Sequence, residues 1–261
     1  MSAPFIIDAH LHIGLPGVFL APETDAERLI AIMDRLRVRA AVCTDHVSLA
    51  NGAKAGLPLL RRVFEESGGR IFYQAVYDPN SAGDCLAAME EAAGWPGLVG
   101  LKIHPSFHRT TAEDPAYRPA WEFAARHDLA ILTHSWSVSD HNPVQKLSTP
   151  ERFEGYVREF PGVRFVLGHA GGRGSGRKEA VRMAREYPNV YLDFAGDVFC
   201  YRLLEDLTAT LPAGKILFGS DYPWLDPRAN LTRVLLARIG ESAQQRILVE
   251  NAATVYKIPQ V

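Results

Sequence analysis

Histidine and carboxylate side chains gather at the ends of short apolar runs in this 261-residue chain. The run Ile7-Asp8-Ala9-His10-Leu11-His12 sets Asp8, His10 and His12 two residues apart. In a strand such residues share one face, leaving Ile7, Ala9 and Leu11 on the other. Two neutral imidazoles at one strand end can share a cation, whereas as core residues they need two buried hydrogen-bond partners. The same alternation makes His134 the last inward residue of Ala130-Ile131-Leu132-Thr133-His134, and His169 that of Phe165-Val166-Leu167-Gly168-His169. Ala170-Gly171-Gly172 then lets the backbone turn sharply, close to a ligand. A final run, 215–221, ends in the carboxylate of Asp221. Each residue alone is ordinary. Four imidazoles and a carboxylate together suit zinc, manganese or iron, with an open position for water.

Strand-terminal ligands need a scaffold that gathers strand ends. Apolar runs recur at 5–12, 39–45, 71–77, 98–105, 130–135, 164–170, 190–196 and 215–221, beginning 25 to 34 residues apart, which is room for a strand and a helix. Helix punctuation lies between them. Thr24 with Glu27 reads as a capping box ahead of Leu29, Ile30, Met33 and Leu36 on one face. Asp114-Pro115, Thr149-Pro150 and Asp226-Pro227 place a capping oxygen before a proline suited to the first helical turn, opening the fourth, fifth and eighth helices. Gly68-Gly69, Gly94, Pro161-Gly162, Pro212 and Gly240 are expected to close helices. Alternating strands and helices require parallel strands, because each crossover returns the chain to the same end of the sheet. The pattern predicts an α/β protein, a single (β/α)8 TIM barrel over 1–261 with its chemistry at the strand C-termini. A doubly wound open sheet is the competitor, but the G-x-G-x-x-G turn expected after its first strand is missing and histidines stand there instead.

Charge narrows the partners. Lys plus Arg number 28 against 30 Asp plus Glu, a net charge of −2 that gives no global attraction to nucleic acid or anionic lipid. No run reaches the about 18 apolar residues of a membrane span. No basic leader precedes the first apolar run, so a cytoplasmic protein acting on a small molecule is expected. Outer barrel helices often pair with another subunit, so a homo-oligomer is compatible. Cys43, Cys85 and Cys200 form no C-x-x-C pair and read as reduced.

Taken in order, Ile7-Asp8-Ala9-His10-Leu11-His12, Gly100-Leu101-Lys102-Ile103-His104-Pro105, Leu132-Thr133-His134, Gly168-His169-Ala170-Gly171-Gly172 and Phe218-Gly219-Ser220-Asp221-Tyr222-Pro223 resemble the amidohydrolase-related group of the amidohydrolase superfamily. The tail Asn251-Ala252-Ala253-Thr254-Val255-Tyr256 is similar to the family's closing segment. This resemblance spans nearly the whole chain. It implies a metal-dependent barrel enzyme with His10, His12, His134 and Asp221 as ligands, and His169 as a further ligand or a group facing the attacking water. Some relatives carry a carboxylated lysine bridging two metals at the place of Lys102. The group resembled most keeps a free lysine and one ion. The expectation is therefore one divalent cation, zinc ahead of manganese or iron, and a Lys102 ammonium paired with a carboxylate.

A bound divalent cation can lower the pKa of water toward about 7. Asp221 would accept that water's proton and return it to the leaving group while the metal or His169 polarises the carbonyl, hydrolysing an amide, ester or lactone. The resemblance also admits non-oxidative decarboxylation of an aromatic or enol-like acid, with Arg173 or Lys102 to hold the substrate. Arg173 reads equally as a solvated loop residue. Trp136, Tyr222 and Trp224 either wall a pocket for a ring or cap the barrel. His46, His108, Arg109 and His141 fall in mouth loops and receive no role. His127 lies near a helix C-terminus and reads as structural. A barrel retained as a non-catalytic binding protein is the third reading.

Overall fold

The computed structural model describes residues 5–14 and 25–259. Eight parallel strands form one sheet in chain order: β1 (Ile6–Ile13), β2 (Val38–Asp45), β3 (Ile71–Val76), β4 (Leu98–Ile103), β5 (Ala130–His134), β6 (Phe165–Gly168), β7 (Val190–Asp193) and β8 (Ile216–Leu217). Each begins within one residue of a run read from the sequence. The last three are shorter than those runs, because the chain leaves the ladder early at their C-terminal ends. Backbone bonds continue past β8 and close the sheet onto β1. Ala9 N–H donates to Phe218 O at 2.9 Å, Asp221 N–H to His10 O at 2.8 Å, and His12 N–H to Tyr222 O at 2.6 Å. The result is a barrel, not a doubly wound open sheet.

The helices are α1 (Ala26–Leu36), α2 (His46–Asn51), α3 (Ala53–Glu66), α4 (Ala82–Ala92), α5 (Pro105–His108), α6 (Arg118–His127), α7 (Glu154–Glu159), α8 (Gly174–Glu186), α9 (Leu203–Thr210), α10 (Pro227–Leu236), α11 (Glu241–Gln245) and α12 (Asn251–Tyr256). Asp25 caps α1 by accepting from Arg28 N–H at 2.8 Å. Thr24, the first half of the expected capping box, lies outside the described residues. Asp114 and Asp226 cap as read, accepting from Ala116 N–H and Arg228 N–H at 2.8 and 2.9 Å. Thr149 instead gives its hydroxyl to Glu151 at 2.6 Å. Gly240 corrects its expectation. Helix α10 already ends at Leu236, and Gly240 is the residue that leads into α11.

Barrel strands covered by helices are buried on both faces, which is why their sequences read as apolar runs. Trp121, Phe123, Phe153 and Phe165 are fully buried in the core, and Trp121 stacks on Tyr156 with ring centroids 5.4 Å apart. Each such side chain contributes roughly 1.5–3 kcal/mol. That stabilisation offsets the cost of burying polar groups in the barrel. Strand β1 carries one irregularity that bears on them. From Asp8 to Leu11 it advances three residues while β2 advances two, from Ala41 to Cys43. This bulge spans His10 and interrupts strict alternation, yet His10 and His12 both still reach Asp221. Among the described residues, no helix is long and apolar enough to cross a membrane.

Candidate metal centre

Three strand ends and two sharp turns assemble the site. His169 follows β6 at φ 60°, and Asp221 follows β8 at φ 61°. Asp and His tolerate this left-handed region better than most residues. Gly196, past β7 at φ 81°, permits their approach. A Cβ there would lie 2.7 Å from His169 Nδ1 and 3.1 Å from Asp221 Oδ2.

Hydrogen bonds settle the orientation of each ring. Lys102 Nζ donates to His10 Nε2 at 3.0 Å, so His10 Nδ1 carries the proton and donates to Asp193 Oδ2, also at 3.0 Å. His12 Nε2 donates to Asp221 Oδ1 at 3.1 Å, and the same oxygen lies 3.8 Å from His10 Nε2. His12 Nδ1 is buried with no hydrogen-bond partner. His169 Nδ1 donates to Ala195 O at 2.9 Å, which leaves its Nε2 uncommitted. The His10 ring centroid is 5.2 Å from that of His12 and 5.0 Å from that of His169.

Burial sets the charge states. It lowers His10 to about 4, with the Lys102 charge acting in the same direction, and it holds His12, His104 and His134 below the ordinary histidine value. Neutral imidazoles result. Burial alone would raise Asp221, but the His12 hydrogen bond and the neighbouring histidines outweigh it and hold the carboxyl well below its usual range. Asp193 is lowered in the same way, burial being outweighed by His10. Burial brings Lys102 down to about 8 against the pull of Asp193 and Asp221.

The donor set fits a divalent cation. His10, His12 and Asp221 offer ligand atoms within 4.8 Å of one another, and His10, His169 and Asp193 form a second, overlapping group. Two ionised carboxylates face one ammonium here, leaving net negative charge in a buried place where an unpaired anion is costly. Lys102 already donates a positive charge into this set. Nitrogen and carboxylate donors suit zinc, manganese or iron.

Of the remaining residues read from the sequence, His134 stands one ring further out, its centroid 4.8 Å from His169. Its Nε2 bonds Gln145 Oε1 at 2.9 Å. His104 lies parallel to it at 4.2 Å and 8°, and Trp136 at 6.0 Å and 9°, forming a flat-ringed wall beside the donors. Lys102 departs from expectation, bonding an imidazole rather than a carboxylate oxygen. Burial of its stem beside His10 leaves the two carboxylates acting through space. Arg173 is engaged elsewhere. Its guanidinium donates to Asp197 O at 2.9 Å, lies 3.6 Å from the Asp197 carboxylate, and is more than half exposed, which matches the solvated-loop alternative. The Gly171-Gly172 turn brings the backbone close to the Trp136 side chain. A Cβ on Gly172, at φ 74°, would lie 2.7 Å from the Trp136 ring.

Several residues escaped the sequence reading. Asp193 ends β7, and its Oδ1 also accepts from His169 N–H and Ala195 N–H at 2.9 and 3.0 Å. The alternation that singled out Asp221 applies equally to it. His46 uses both ring nitrogens, bonding Ile13 O at 3.2 Å and accepting from Trp224 Nε1 at 2.8 Å, so it braces Trp224 rather than offering a ligand atom. Gln145 and Gly196 carry no local signal at all.

The amidohydrolase family model matches residues 7–258. The chain belongs to the amidohydrolase family. Its fold is shared by solved structures of several enzymes. A 2,6-dihydroxybenzoate decarboxylase from Rhizobium superposes with a TM-score of 0.77 at 16% identity, covering 98% of this chain and 99% of that one. The 5-carboxyvanillate decarboxylase of Sphingomonas paucimobilis gives 0.74 at 15%, covering 98% and 100%. A dihydroxybenzoic acid decarboxylase from Polaromonas, solved with manganese and the inhibitor 2-nitroresorcinol, gives 0.75 at 16%, covering 99% and 98%. At these identities the likeness establishes the barrel and no more. No curated protein matches the sequence. Family membership makes this amidohydrolase barrel an enzyme rather than a binding scaffold.

Proposed function

We propose that this enzyme is a metal-dependent, non-oxidative decarboxylase of a small aromatic or enol-like carboxylic acid. The observation that carries the reading is His169. Its Nδ1 is tied to Ala195 O, so Nε2 is the nitrogen left to exchange a proton, beside the donor group of His10 and Asp193 and edge-on to Trp136 at 5.4 Å. The three solved relatives, all decarboxylases of benzoate-type acids by name, support it. His10, His12 and Asp221 would hold the cation, with His134 as the fourth ligand read from the sequence. When bound, the cation would supply positive charge that anchors and orients the substrate oxygens. Lys102, bonded to His10, adds a second positive charge. The flat rings of Trp136 and His134 offer one wall for a planar substrate. With Nδ1 donating to Ala195 O, His169 takes up a proton at Nε2 and delivers it to the carbon bearing the carboxylate. The carbon–carboxylate bond then breaks, its electron pair returns to the ring system, and CO2 leaves.

Hydrolysis of an amide, ester or lactone is the second reading, favoured by Asp221, an ionised carboxylate suited to accepting a proton from water. A small carboxylate-bearing or cyclic substrate, a cytoplasmic setting and one ion, zinc or manganese, belong to either version. The test is product analysis with purified protein loaded with manganese or zinc, on hydroxybenzoates and on lactones. Stoichiometric CO2 with a protonated ring product is expected, along with a loss on the order of 10²–10⁴-fold in His169→Asn. Carbonyl hydrolysis without CO2 would replace this reading with the second.

A further inference from the structure

The bonding of His134 differs from that of His10 and His169. Its Nε2 lies 2.9 Å from Gln145 Oε1, and the same oxygen accepts from Ser148 Oγ at 3.2 Å. An amide oxygen only accepts, so both partners must donate. A neutral imidazole has one N–H, which places the proton of His134 on Nε2 and the lone pair on Nδ1. His10 and His169 show the opposite arrangement, with Nδ1 donating to Asp193 and to Ala195 O. Gln145 is buried and held in a short helical turn, Pro143–Leu147, after β5. Ser148 N–H donates to its carbonyl at 3.0 Å, and Trp136 N–H donates to Ser148 O at 3.2 Å. Ser148 thus meets Gln145 twice, its backbone N–H at the carbonyl and its hydroxyl at the side-chain oxygen.

We propose that Gln145 is a positioning residue that holds His134 as its Nε2–H tautomer, which leaves Nδ1 as the nitrogen that His134 would offer to the cation. The ligation half of this inference rests on the metal-dependent reading above. Its physical basis is general. The second nitrogen of a ligating histidine needs a partner to choose the tautomer and orient the ring.

The experiment uses the full chain with 15N-labelled histidine, stripped of metal, with His134 assigned from the spectrum of His134→Gln. A long-range 1H–15N spectrum is expected to show a protonated Nε2 and an unprotonated Nδ1 for His134. Gln145→Met, which removes the acceptor at similar length, should lose this single tautomer and bind manganese about 10–100-fold more weakly in equilibrium dialysis. Gln145→Glu, which retains an acceptor oxygen, should restore both. A wild-type His134 protonated at Nδ1, or a Gln145→Met protein with tautomer and affinity unchanged, would overturn the assignment. Should Gln145→Met fail to fold, the wild-type spectrum and the Gln145→Glu affinity still decide. A wild type that shows the Nε2–H tautomer yet takes up neither manganese nor zinc sinks the metal reading and ligation through Nδ1 with it. That failure is distinguishable from failure of the Gln145 assignment, because the tautomer is read without metal.

Discussion

Asp221 and Asp193 are ionised carboxylates in a place where burial alone would protonate them. Asp193 commits its charge to His10 and to two backbone N–H groups, so its work is to aim rings, whereas Asp221 faces the donors themselves. Replacing Asp193 by Asn should therefore leave His10, His12 and Asp221 in place and still weaken metal binding by about 10–100-fold. Isothermal titration with manganese checks this, and an unchanged affinity would mean that His10 needs no anchor. Gly196→Ala is the steric counterpart. Its Cβ would press on His169 and Asp221 together, and displacement of reacting groups by about 1 Å can cost about 10²-fold in turnover. Far-UV dichroism should stay that of the wild type while turnover falls. Full activity in the alanine variant would show that the His169–Asp221 approach is not required.

The elements show where local chemistry is enough. Asp25, Asp114 and Asp226 cap their helices through their own side chains, and short polar residues do this wherever a backbone N–H is left over at a helix start. Asp25→Ala should lower stability by about 1 kcal/mol, read as a shift in the urea midpoint with unchanged slope. A variant as stable as the wild type would show that α1 is held by packing of Leu29 and Met33 alone. The β1 bulge is a different matter. An alternation argument assumes a regular strand, and the extra residue between Asp8 and Leu11 is set by pairing with β2, which no window of β1 contains.

For the molecule as a whole, pH links the site to stability. His10 falls from 6.5 to about 4 on folding and His46 to about 3, and His12, His104 and His134 are also lowered. In each case the unfolded chain binds a proton that the folded one refuses. Their contribution is complete above 6.5 and is lost as pH falls toward the folded values, by about 1.4 kcal/mol per pH unit for each histidine kept neutral. The lowered Asp221 and Asp193 add a loss of the same sign below 3.8. Asp8, raised by burial from 3.8 to about 7, works the other way, since its contribution declines as pH rises through that range. Five histidines outweigh one carboxyl. The Tm of metal-free protein should fall steadily as pH drops from 6.5 to about 4, and a flat or rising Tm in calorimetry would contradict these charge states.

Eight strands, their order and the candidacy of His10, His12, His134, His169 and Asp221 were legible in the sequence, because alternation, caps and strand-end residues are local properties. Which nitrogen each ring presents, how Lys102 turned to His10, and why Arg173 settled on Asp197 were not. Those outcomes depend on contacts between residues far apart in the chain, such as Asp193 with His10 or Gly196 with Asp221. A glycine or a glutamine in a loop acquires its role only from what the closed barrel brings against it.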